Sequence, residues 1–254
     1  MRQDWDVPIL GEPAERPEKK RFSFRLVKRI VLNLFVLAAF LGAVYTLYTL
    51  VESSGILDPG EVQAQLTFED IPENYVQVER ITTAVETGLV PAAAGTRFGP
   101  TDPMDRMELA KAVVLAMGWP VDGEAQQIFD DVEADLTSID DSDYAAAIFW
   151  HHAMSGTGDD PLVFSPDASA SIRLMLLVMG RAATEELPEA DEITDAIDDL
   201  ELSSDEKEAF QRLLDAEILE GTAIQPGITD LEGPVLREQL AIATVNLKAF
   251  IDRQ

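Results

Sequence analysis

Few residues in this chain have both the type and the spacing for chemistry. The two histidines, His151 and His152, are neighbours. On a helix adjacent side chains diverge by about 100°, so the pair cannot close on one ion. The acidic stretch DDVEADLTSIDDSD, from Asp130 to Asp143, is as rich in oxygen as a calcium loop, yet it lacks the glycine and the spaced ligands of an EF-hand. Gly95, Gly99, Gly156 and Gly158 belong to turns, with no G-x-G-x-x-G or G-K-[ST] pattern to cradle phosphate, and no G-x-S-x-G elbow carries a nucleophile. Cysteine is absent, which removes thiolate catalysis, disulfides and Cys-ligated metal. With 47 Asp and Glu, some carboxylates will lie at acid/base distance by chance, and abundance alone says nothing about tuned pKa values. The expectation is a non-enzyme with no catalytic residue, no metal and no cofactor.

The elements that carry these residues repeat. FEDI at Phe68, FDDV at Phe129 and IDDL at Ile197 each open a unit, and RFGPTDPMDRMEL around Phe98, VFSPDASASIRLM around Phe164 and GITDLEGPVLREQL around Ile228 continue it. Each unit closes on an apolar helix that contains or follows an arginine: Arg106, Arg173 and Arg237. In the first unit Val78, Ile81, Val85 and Leu89 step by three and four, as do Ala110, Val113, Val114 and Met117, giving one apolar stripe per helix. Asp102 before Pro103 reads as an N-cap, and Ser203 with Glu206 as a capping box. Two short helices per unit of about 60 residues bury too little alone, so the three units are expected to pack into one all-α body.

Charge divides the chain. Residues 1–29 hold 8 Lys/Arg against 5 Asp/Glu, and the remainder holds 11 against 42. So acidic a body repels nucleic acid and suits a basic partner surface. Between the two regions, Ile30 to Val51 is uncharged over 22 residues, enough to span a bilayer as a helix. Lys19, Lys20, Arg21, Arg25, Lys28 and Arg29 crowd its leading end, so the positive-inside rule places the N-terminus in the cytoplasm and the body on the other side of the membrane. The expected division is a basic tail over 1–29, a transmembrane helix over 30–51, a stalk over 52–66, and repeats over 67–120, 121–186 and 187–254.

From Phe68 to about Ile251 these landmarks resemble the S-layer homology family, whose repeats run from F-x-D-V through a glycine turn and F-x-P-D to T-R-A-E. The turns stand here as Gly88, Leu89, Val90, then Ala153, Met154, Ser155, Gly156, and finally Ile218, Leu219, Glu220, Gly221. The resemblance implies a pseudo-threefold array of three helix-loop-helix repeats that holds anionic envelope polysaccharide in grooves between repeats, and a bacterial chain, so that the membrane would be a bacterial inner membrane and the body periplasmic or otherwise extracytoplasmic. Its functional arginine falls on Arg106, Arg173 and Arg237. Only the first unit keeps the following acid, Glu108, where the others have Met175 and Gln239. Each arginine would either clamp a carboxylate bidentately or bridge to the aspartate of an opening motif, Asp70, Asp131 or Asp199. Trp150, with Phe149 and Met154, flanks the second turn as contact surface or core. Three readings stay open. The first is a structural accessory subunit docking on integral-membrane proteins of a respiratory, secretory or photosynthetic assembly in the lipid bilayer, the second an envelope-polysaccharide tether, and the third a hydrolase.

Overall fold

The computed structural model describes residues 66–121, 128–133, 138–158, 162–190 and 192–254. The chain divides into two units, 1–64 and 65–254, and the described residues belong to the second. Among the described residues seven helices follow in order: α1 Val78–Glu86, α2 Arg106–Met117, α3 Asp141–Trp150, α4 Ile172–Ala182, α5 Asp195–Asp198, α6 Ser204–Asp215 and α7 Arg237–Ile251. Among the described residues β pairing is limited to isolated bridges. The helices form three helix-loop-helix repeats, α1 with α2, α3 with α4 and α6 with α7, and the single turn α5 precedes α6.

Local sequence explains where the helices begin and end. Asp105 and Glu108 reciprocally cap α2, the Glu108 N–H donating to Asp105 at 2.7 Å and the Asp105 N–H to Glu108 at 2.9 Å. Asp140 with Asp143 does the same for α3, and Ser203 with Glu206 for α6. Asp102, expected as a cap, lies three residues too early, because Pro103 and Met104 run extended into the junction described next. The first helix of every repeat ends on a left-handed residue: Gly88 at φ 72°, His152 at φ 58° and Glu217 at φ 60°. Only the first repeat fills that position with the residue that adopts it without cost.

The repeats interlock in a closed cycle. Each first helix packs on the second helix of another repeat: α3 on α2, α6 on α4 and α1 on α7. At the junction three buried backbone groups bond in a ring. Met104 N–H donates to the Val235 carbonyl at 2.9 Å, Val235 to Ala170 at 2.8 Å, and Ala170 back to Met104 at 3.0 Å. The first-turn N–H groups of each second helix, which have no intrahelical acceptor, are likewise met from the next repeat. Arg106 and Met107 donate to Ala168 and Pro166, Ile172 and Arg173 to Gly233 and Leu231, and Arg237 and Glu238 to Asp102 and Pro100. Each repeat thus supplies acceptors for the first turn of a neighbour's second helix and shares the central ring.

The fold class read from the sequence joined this array to a transmembrane helix, and that element is corrected. Among the described residues no helix is long and apolar enough to cross a membrane. The longest, α7, has 15 residues and carries Arg237, Glu238 and Lys248. At about 1.5 Å per residue it reaches roughly 22 Å, short of a hydrocarbon layer of roughly 30 Å. The described part of the fold is the helical array alone. The tail over 1–29, the segment over 30–51 and the stalk up to residue 65 lie outside the described residues, as do the topology and location read from them.

Candidate functional site

The first-turn hydrogen bonds set the true register of the arginines. Arg106, Ile172 and Arg237 are equivalent, each at the first helical position, and Arg173 follows one residue later, equivalent to Met107 and Glu238. Ser171, which caps α4 by accepting from the Leu174 N–H at 3.2 Å, matches Asp105. An alignment on caps would have shown the shift.

Each arginine crosses from its own repeat into the next. Arg106 leaves α2 for the second repeat, where its Nε donates to the Phe164 carbonyl at 2.8 Å and a terminal nitrogen to the Ser155 carbonyl at 3.2 Å. Its guanidinium lies 5.3 Å from the centre of the Phe164 ring. Burial pulls its pKa down, and Asp131 nearby partly offsets that. Arg237 leaves α7 for the first repeat, donating to the Pro91 carbonyl at 3.1 Å with Glu108 at 3.6 Å. Pro91 and Ser155 stand at matching places in their turns, since the residues before them, Val90 and Met154, bond the carbonyls of Ala84 and Ile148. The Arg237 Nε is buried and lacks a hydrogen-bond partner among the described residues.

Arg173 behaves differently. From α4 it grips Glu206 of the third repeat through two parallel hydrogen bonds of 2.6 and 2.8 Å and reaches Glu232 at 3.0 Å. These bonds, Glu206 first, raise the arginine pKa, and the Arg173 hydrogen bond holds the Glu206 carboxyl down at about 2. Glu206 also caps α6, so one carboxylate ties a helix start to a repeat boundary. Tyr75 makes a further cross-repeat bond, donating to Glu238. Burial first, then that acceptor and its charge, push the phenol up to about 12.

The opening aspartates divide in the same way. Asp70 accepts the N–H groups of Phe98 at 2.9 Å and Gly99 at 2.8 Å, and Asp131 those of Phe164 and Ser165, both at 2.7 Å. Burial works to raise the Asp70 pKa, but the two N–H groups and Arg97 outweigh it and leave it lowered. Asp70 thus pairs with Arg97, at 3.8 Å, rather than with a motif arginine. In the third repeat Asp199 is exposed at the end of α5. Ile228, the expected partner of Phe98 and Phe164, is 79% exposed, while Ile224 is 3% exposed and fills the core. Glu108 is the α2 capping acid and approaches Arg237. Trp150 stands at the end of α3 and is 66% exposed, and His151 stacks on Trp119 at 3.9 Å between ring centres.

The three boundaries bring arginine to carbonyls or carboxylates of the protein itself. A cleft of about 590 Å³ opens elsewhere, beside Leu66, Phe68, Ile71 and Val78, with Glu69 and Glu73 as its charged lining. Among the described residues neither place combines a nucleophile, a base and an oxyanion donor. No protein-family model matches this chain, and no curated protein matches it.

Proposed function

We propose that this chain is a non-catalytic scaffold whose acidic, S-layer-homology-like helical body docks on protein partners as an accessory subunit of a larger assembly. The observation that carries this reading is that Arg106 and Arg173 donate into carbonyls and carboxylates of the neighbouring repeat, so their guanidinium groups act as internal fasteners. The exterior supports it. From Leu66 onward the chain holds 11 Lys/Arg against 39 Asp/Glu, a field that attracts a basic protein and repels a polyanion.

The second reading, a tether for anionic envelope polysaccharide, is favoured by one feature, the buried Nε of Arg237 without a partner. One experiment separates the two. The tagged full chain is purified from mild detergent, and whatever accompanies it in near-stoichiometric amount is identified by mass spectrometry. Its retention on purified envelope glycan is measured in parallel. Constant protein partners with no glycan retention support the scaffold. Salt-sensitive glycan retention that is lost in the Arg106→Ala, Arg237→Ala double variant, with no protein partner, overturns it in favour of the tether.

A further inference from the structure

The C-terminal end of α3 carries a surface that neither the core nor the repeat boundaries account for. Trp150 is 66% exposed and is the one aromatic among the exposed large hydrophobic residues described. It also ends a chain of ring contacts. Its ring meets Phe149 edge-on at 5.5 Å, Phe149 meets Phe129 at 5.6 Å, and Phe129 meets the buried Phe164 at 5.0 Å. A ladder of four rings thus runs from the core to an indole in solvent. An anchored ring loses little entropy when it is covered, which is the property of an interface anchor rather than of a stray surface residue. At the same helix end His151 lies flat on Trp119, extending the aromatic surface.

The charges around the ladder name the occupant. Asp130 and Glu133, which flank the Phe129 rung, are exposed. Arg106 reaches the Phe164 rung, and its guanidinium is taken by the Phe164 and Ser155 carbonyls. Elsewhere in the array Arg80, Arg97, Lys111, Arg173, Lys207 and Arg237 already hold carboxylates. The helix end itself adds the negative end of the α3 dipole. Two ring contacts link the exposed indole to Phe129, which Asp130 follows in sequence, and such an indole on so acidic a body suits an ammonium or guanidinium group, which gains from the ring quadrupole and from the surrounding negative field. We propose that Trp150, with Asp130 and Glu133, is the docking surface for a Lys/Arg-rich segment of a protein partner. This rests on the scaffold reading and adds to it the face used and the chemistry of the partner.

The test uses the full chain and a fluorescein-labelled ten-residue peptide alternating Lys and Ser, with an Asp/Ser peptide as control, read by fluorescence anisotropy at low and physiological salt. The expected result is salt-sensitive binding of the lysine peptide alone, weakened about fivefold to tenfold by Trp150→Ala and about twofold to threefold by Asp130→Asn with Glu133→Gln. Trp150→Tyr should keep most of it, and circular dichroism should be unchanged in all variants. Absence of binding, or binding that ignores Trp150→Ala and follows only net charge, overturns the proposal. Co-purification separates this failure from that of the scaffold reading. If a stoichiometric partner stays with Trp150→Ala as firmly as with the wild type, the scaffold stands and this face is wrong. If neither form brings a partner, both fall.

Discussion

The boundary between the first and second repeats and that between the second and third are built from one sequence signature with opposite contents. At the first, Arg106 lies over the Phe164 ring and donates to two backbone carbonyls. At the second, Arg173 sits one helical position further on and grips two glutamates. The register decides the chemistry. A side chain at the first helical position here reaches back into the neighbouring turn, where carbonyls are presented, and a shift of one residue swings it by about 100° toward the carboxylates of α6 and the loop before α7. An arginine repeated within the chain is therefore no guide to a repeated contact.

The difference can be broken hardest at Phe164, which is fully buried under Arg106. Phe164→Ala should cost about 3–5 kcal/mol in urea unfolding, whereas Ile228→Ala, at the expected counterpart in the third repeat, should stay within about 0.5 kcal/mol. Next comes the helix crossing at the second boundary, where a Cβ on Gly180 would collide with Ala209 of α6. Gly180→Ala should destabilise by about 1–3 kcal/mol, and adding Ala209→Gly should recover part of it. Asp70→Asn, which spoils a carboxylate shared by two N–H donors, should cost about 1–2 kcal/mol, with Asp199→Asn close to neutral.

The glutamate clasp makes a pH-dependent prediction. The folded pKa of Glu206 is about 2 against an ordinary 4.5. A depressed carboxyl pKa stabilises the fold fully above the unfolded value and loses that contribution as pH falls through the folded one. Glu206→Gln keeps the cap, since glutamine serves at that position. Wild type should exceed this variant by about 1 kcal/mol at pH 7, and the gap should close between about pH 4.5 and pH 2, as denaturant midpoints across that range would report. The smallest effect concerns the left-handed helix ends. Glu217→Gly should stabilise by about 0.5–1 kcal/mol, bringing the third repeat to the arrangement that Gly88 gives the first, read as a rise in melting temperature.

The helices were legible because their signals are short in sequence. The stripe through Ile81 and Val85 and the Ser203 with Glu206 box each span a few residues. The third repeat was harder to read. IDDL and GITD look like the aromatic landmarks, but Ile197 and Ile224 take the buried places while Asp199 and Ile228 face solvent. The arginines were found, and Ser171 as a cap held the clue to their register. Their partners were not found, because the choice between a carbonyl and a carboxylate follows from where a neighbouring repeat places its turn.

The sequence by itself determined a helical, strongly acidic body without cysteine, because period, capping and composition act within a turn or two of helix. Only the tertiary structure decided that the repeats exchange helices in a cycle, that Met104, Ala170 and Val235 close a ring, and that the motif arginines reach into neighbouring repeats. Those contacts join residues as far apart as Pro91 and Arg237, separated by 146 positions. Contacts at that range are set by how whole helices pack, which no local pattern encodes.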